Sequence, residues 1–224
     1  MITYKIYGMH IRDNMINNLK NQLDIDDSNV YYEDRPNGGL ALYTAKKAWL
    51  SPIEPNETHR CVFPDDTEVC DGFKNICEKI VATHPDAIIS LLCWEGLHRN
   101  KSLDNLPTPY INSRFVIGCG IIMPIKYINP CFNWIKETYD DNIADDAAIQ
   151  YWAAQNKIQV ITTIPSLVQH LGDNSILTPN MSIRRSVYFS KLPPEVDWTN
   201  KEVTTLPSTN NFKPHTKRIL KVYG

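Results

Sequence analysis

Two adjacent carboxylates, Asp65 and Asp66, stand directly after a short apolar run, Cys61-Val62-Phe63, and just before a helix-like pattern that opens near Asp71. Apolar strand, acidic pair, helix is an order that holds a hard divalent cation at the carboxyl edge of a sheet. A cation bound by few carboxylates keeps open coordination positions, which phosphate oxygens fill. The same pair also serves as a plain polar turn that caps the following helix. Asp145 and Asp146 open a second helical pattern, where the dipole and free amides favour a carboxylate. Capping explains them too, and a carboxylate held there beside a cleft could deprotonate a hydroxyl. His170 follows a strand-like run in a loop leading to Gly172, with a neutral imidazole available to a metal or simply to a hydrogen-bond partner. Arg184 and Arg185 offer planar donors suited to phosphate oxygens, or an ordinary solvated surface.

The elements that must position these groups are legible as alternating patterns. Residues 3–8 read as a strand, followed by a helix with Met15, Ile16, Leu19 and Leu23 on one side. Residues 29–33 are rich in strand formers, and the turn chemistry of residues 34–39 ends them. A short helix over 40–50 precedes the acidic-pair strand, and a helix over 71–83 follows it, with Phe73, Ile76, Cys77 and Ile80 on one face. Residues 87–94 form a continuous apolar run, as a strand buried on both faces requires. Residues 95–113 read as a polar loop. Residues 115–123 read as a strand in which Gly118 and Gly120 let something approach the backbone closely. Helices over 126–138 and from Asp145, then a strand over 160–164, complete the pattern. Regular alternation of strand and helix predicts an α/β fold with a mainly parallel sheet. Such sheets bind ligands outside the carboxyl ends of their strands, where Asp65 and Asp66 fall. After Ser190 the chain is rich in Pro, Thr and Asn and reads as an extended arm, which divides it into a domain over 1–190 and an arm over 191–224.

Composition narrows the function classes. At 224 residues, with 42% apolar and 21% charged residues, the chain can bury a full core and is not of the disordered class. No apolar run reaches the ~18 residues of a membrane span, and the first residues lack the apolar stretch of a signal peptide. Six cysteines without a Cys-x-x-Cys pair argue against a zinc knuckle and for reduced, buried thiols, so a cytoplasmic location is expected. The net charge of −2 hides an asymmetry. From residue 181 onward eight Lys or Arg face three acids, a balance of +5 that leaves −7 for the first 180 residues. A basic tail either docks on the acidic body or faces an anionic ligand such as a diphosphate.

Taken in order, these pieces resemble small GT-A-fold glycosyltransferases, especially phage and bacterial members related to the lipopolysaccharide family 25 enzymes. The resemblance spans residues 2–190. It is carried by Arg12 after the first strand, Asp34-Arg35 after the second, and Ala45-Lys46-Lys47-Ala48-Trp49. Val62-Phe63-Pro64-Asp65-Asp66, the Asp145-Asp146 helix start and the segment from Pro165 through His170 continue it. It implies a GT-A-like (Rossmann-like) fold and transfer of a hexose from a nucleotide sugar, UDP-glucose on family grounds, with Mn²⁺ or Mg²⁺ on the diphosphate. By the same resemblance Asp66 would ligate the metal, with His170 as second ligand, and Asp65 would lie near the ribose or sugar. Arg12, Asp34 and Arg35 would face the nucleotide, with Asp34 near the base, and Arg184 and Arg185 would close on the diphosphate. Asp146 matches the catalytic base of inverting members, with Asp145 the fallback; a retaining reaction would leave Asp146 to orient substrate. Many relatives carry an acid or Gln where this chain has Pro64, so a full Asp-x-Asp is absent. If phage-encoded, the protein is expected in the host cytoplasm. The acceptor, a modified DNA base or a cell-surface glycan among the options, would meet variable loops such as 95–113.

Two other classes fit parts of the pattern. A metal-dependent phosphoesterase or nucleotidyltransferase would turn the same carboxylates on phosphorus, with two metals about 4 Å apart. The chain lacks the Gly-rich phosphate loop or His-rich cluster that many of those enzymes display. A non-catalytic module that binds sugar or nucleic acid is the other, although the acidic body shows no long basic stripe before residue 184. The sequence leaves the oligomeric state open, since a proline-containing arm could reach a neighbouring subunit.

Overall fold

The computed structural model describes residues 1–35, 41–94, 106–113, 115–139, 143–171 and 185–205. In chain order the first half holds β1 (Ile2–Gly8), α1 (Asp13–Leu23), β2 (Val30–Tyr32), α2 (Ala41–Trp49), β3 (His59–Pro64), β4 (Thr67–Val69), α3 (Phe73–Thr83) and β5 (Ile88–Ser90). The second half holds β6 (Tyr110–Asn112), β7 (Ile121–Pro124), α4 (Ile125–Tyr139), α5 (Asp145–Gln155), β8 (Val160–Thr163), β9 (Val168–His170) and β10 (Thr204–Thr205).

Strands β1, β2, β3, β5 and β8 run one way in an eight-stranded sheet of order β10-β6-β8-β5-β7-β3-β1-β2, and β6, β7 and β10 run the other way. The reason is visible in the side chains. β1 is buried along its whole length, as a central strand covered on both faces must be. Its Ile2, Tyr4 and Ile6 pack with Leu19 of α1 and Phe73 and Ile80 of α3. Tyr7 faces the opposite layer, with Leu42 and Trp49 of α2, Phe132 of α4 and Trp152 of α5. The protein is therefore α/β, with a large, mostly parallel sheet between two helical layers, a Rossmann-like arrangement. Among the described residues no helix is long and apolar enough to cross a membrane.

Two strands are shorter than their apolar runs suggest. Of residues 87–94, only 88–90 lie in the ladder. Leu91 turns its N–H to the carbonyl of Gly120 and its own carbonyl to Leu167. Of residues 115–123, only the last three join β7, because Gly120 at φ +115° bends the chain as it enters the sheet. Both runs leave the ladder at the same edge and line it instead.

The amino edge of the sheet is built for stability. Arg60, at the start of β3, is 1% exposed. It pairs with buried Glu57 through Nε and Nη2, at 2.7 and 2.8 Å, and donates to the carbonyls of Trp49, Ser51 and Pro52. That network ties down the end of α2 and the loop after it. The segment read as an arm is part of the body as far as residue 205. Trp198 is buried against Tyr110, whose hydroxyl donates to the Trp198 carbonyl at 2.6 Å, and β10 adds the last strand of the sheet. A large aromatic in an otherwise polar stretch gains more by burial than the extended chain loses by docking.

Candidate functional site

Asp65 and Asp66 form the two-residue turn between β3 and β4, at the carboxyl edge of the parallel strands. Gly8, the last residue of β1, lies against Asp65 so tightly that a methyl group there would stand 2.4 Å from Asp65 Cβ. Sequence reasoning missed Gly8, although a glycine ending an apolar strand is itself a signal of close backbone approach. The next residue, Met9, donates its N–H to Asp65 Oδ2 at 2.9 Å. A single turn of 3₁₀ helix, His10–Arg12, then brings Arg12 back over the acidic pair. Its Nη1 donates to Asp65 Oδ1 at 2.8 Å and also to Asp66 Oδ2.

His170 arrives from the far end of the chain. β9 pairs with β4 in a separate two-stranded ribbon whose register sets His170 opposite Thr67, and Leu171 N–H donates to the Asp66 carbonyl at 2.7 Å. His170 thus ends a strand and does not lie in a free loop. Its Nε2 lies 3.0 Å from Asp66 Oδ2, while its Nδ1 is buried without a hydrogen-bond partner among the described residues. Burial raises Asp66, but the hydrogen bond and charge of His170, then Arg12, outweigh it and hold that carboxylate below its usual range. Burial dominates at Asp65 and pushes it up. Adjacent carboxyls with opposite shifts are a pattern of functional sites.

A second acidic group occupies the same edge. Asp146, half-buried at the start of α5, accepts from Gly118 N–H at 3.3 Å and from Ala147 N–H at 2.7 Å. The close approach predicted at Gly118 is made by this carboxylate, with Asp146 Cβ 3.5 Å from where a Gly118 methyl would be. Asp145 is different. It is 4% exposed, and burial, then the charge of Asp146, raises it to about 7. The Trp49 indole N–H lies near enough to oppose that shift without forming a hydrogen bond of ordinary geometry. Tyr7, buried in β1, feels both acidic groups. Its burial, followed by the fields of Asp145, Asp146 and Asp66, keeps its phenol protonated.

No family model matches this chain, and no curated protein is significantly similar to it.

The remaining candidates divide. Asp34 and Arg35 follow β2 and pair with residues beside it. Arg35 clamps Glu33 through Nε and Nη2 at 2.8 and 2.6 Å and lies 4.1 Å over the Tyr43 ring, while Asp34 pairs with Lys47 at 2.8 Å. Glu33, held down to about 2 by Arg35, was not anticipated. Nor was the stack of exposed His10 on Tyr32, with ring centroids 3.9 Å apart and planes within 9°, beside that cluster. Arg185 is exposed, and its neighbour Ser186 is held to Gln169 by two 2.9 Å hydrogen bonds, one residue from His170. Arg184 lies outside the described residues.

The 3.0 Å between Asp66 Oδ2 and His170 Nε2 is that of a hydrogen-bonded ion pair, and two ligands at right angles on a cation with ~2.1 Å bonds would stand at the same spacing. No group of three His, Cys, Asp or Glu among the described residues could hold a metal unaided. A Mn²⁺ or Mg²⁺ ion on Asp66 and His170 would need oxygens from a ligand, as ions bound through one or two protein groups and a phosphate do.

Proposed function

We propose that this protein is a GT-A-type glycosyltransferase that moves a hexose from a nucleotide sugar, with UDP-glucose the donor favoured by resemblance, to an acceptor hydroxyl. The observation that carries the reading is the convergence of Arg12, Asp65, Asp66 and His170 at the carboxyl edge of β1 and β3, with Asp146 on the same edge. Open α/β sheets bind nucleotides at that edge. Asp66 and His170 would hold the metal, and a Mn²⁺ or Mg²⁺ ion there would supply charge to stabilise the departing diphosphate. Asp65 carries a hydrogen bond on each oxygen and acts by fixing Arg12 and the Met9 amide. Asp146, accessible and held by two amides, takes the proton from the acceptor as it attacks the anomeric carbon, which describes an inverting reaction. Buried Asp145 supports α5 from within and does not meet substrate.

Calorimetric titration of UDP and UDP-glucose, first with Mn²⁺ and then with EDTA, tests the reading. Metal-dependent binding of both is expected. Absence of binding under both conditions would make the acidic turn a structural feature only.

A further inference from the structure

Three neighbouring strands end side by side at the candidate site. In the order β3-β1-β2, Asp65 follows β3, Gly8 ends β1, and the register sets Tyr32, the end of β2, opposite Gly8. Gly8 lies against Asp65 on one side and pairs with Tyr32 on the other. With strands about 4.8 Å apart, Tyr32 stands roughly 10 Å from the acidic turn along the same edge. His10, two residues past Gly8, lies flat on Tyr32, with ring centroids 3.9 Å apart and planes within 9°. It opens the 3₁₀ turn that ends at Arg12, so one short turn carries both the stack and the partner of Asp65 and Asp66. The His10 side chain is 71% exposed all the same. A ring with one face covered keeps that much exposure only if its other face is open to water. Tyr32 is the fixed half of the pair. It packs on the main core, and burial, then the charge of Asp13, keeps its phenol protonated. Asp13 Oδ1 also stands 3.6 Å from His10 Nδ1, so one carboxylate acts on both rings.

We propose that the open face of His10, backed by Tyr32, is the platform on which the donor's nucleobase stacks. The proposal rests on the nucleotide-sugar reading and names the residue that would meet the base. The resemblance puts Asp34 in that place, but Asp34 is paired with Lys47. The stack and the acidic turn are spaced as the base and the diphosphate of one nucleotide are, with a ribose between them, so a single ligand reaches both. A flat aromatic face gains from a base by stacking, and every base has such a face. The contact requires the ring of His10 and not its nitrogens. A pair that served only to shield Tyr32 would be indifferent to nucleotide.

Calorimetric titration of UDP into the full-length chain, with Mn²⁺ and with EDTA, reads this through two substitutions at one exposed position. His10→Ala removes the ring and should weaken UDP binding about 5- to 150-fold, the range of base-stacking losses. His10→Phe removes both ring nitrogens but keeps a flat face, and should bind UDP within about threefold of the wild type. That contrast separates stacking from a hydrogen bond or a charge on the imidazole. His10→Ala binding UDP as tightly as the wild type would overturn the platform and leave the nucleotide site standing. Equal losses in His10→Ala and His10→Phe would also overturn it, by showing that the nitrogens make the contact. No UDP binding by the wild type in either buffer would overturn both the platform and the nucleotide-sugar reading.

Discussion

Gly8→Ala is the most demanding test of the site's packing. The backbone at Gly8 is not in the left-handed region, so alanine meets no conformational penalty and the whole effect is steric. The added methyl would lie 2.4 Å from Asp65 Cβ, 2.5 Å from Oδ2 and 2.8 Å from Cγ, all inside van der Waals contact. Overpacking costs ~1–3 kcal/mol. If Asp65 recoils, a charge-assisted hydrogen bond from Met9 N–H is lost as well, at ~1.5–3 kcal/mol. The expected destabilisation is then about 3–6 kcal/mol, and for a chain of this size each kcal/mol lowers Tm by about 2–4 °C. Chemical denaturation of a double-mutant cycle measures it. The partner substitution must be Asp65→Gly, because alanine would keep the closest atom, Cβ. In the Asp65→Gly background Gly8→Ala should cost under about 1 kcal/mol, so nearly all of its effect appears as coupling. A Gly8→Ala protein as stable as the wild type, or equal costs in both backgrounds, would show that Asp65 does not lie against β1 as described.

Arg60→Ala leaves Glu57 buried and unpaired and should cost about 3–5 kcal/mol in urea unfolding, while Arg60→Met with Glu57→Gln recovers much of it. Asp145, raised in the folded state to about 7 from an unfolded value near 3.8, contributes stability that is full below the unfolded value and lost as pH rises through the folded one. Asp145→Asn should therefore flatten a fall in stability between about pH 4 and 7 whose slope is at most about 1.4 kcal/mol per pH unit; an unchanged pH profile of Tm would place that carboxyl in water. Asp146→Asn should keep UDP binding and lose transfer, and a variant with full transfer rules the residue out as base. Trp198→Ala should cost about 3–5 kcal/mol, and a negligible loss would mean that the 191–205 segment is not docked.

What the sequence made legible follows from periodicity. Helices α1 and α3 announce themselves through apolar spacing, α5 through the acidic pair that opens it, and the acidic turn through two charges that break an apolar run. The layered α/β class follows from their alternation. The short ribbon of β4 and β9 escaped notice because three-residue strands are too brief to show a period. That ribbon is what carries His170 to Asp66, so the pairing at the centre of the site rests on a register no local pattern reveals. The grouping of Asp34 and Arg35 with Glu33, Lys47 and Tyr43 was hidden for another reason. Side chains a few residues apart choose among many partners, and only the position of α2 decides between them. Trp198 shows the converse: a Pro- and Thr-rich composition argued for an arm, and one buried aromatic outweighed it.

The position of Arg12 has a consequence for how the chain is made. The chain is made from its amino terminus, so β1, β2 and β3 are all present once the first seventy or so residues have emerged. At that stage Asp65 and Asp66 are already in the chain, and the strand carrying His170 does not yet exist. Arg12 does, only 53 and 54 residues upstream of them. The nascent chain therefore holds a neutralising partner for two adjacent carboxylates as soon as they are made, independent of any ion in the surrounding solution.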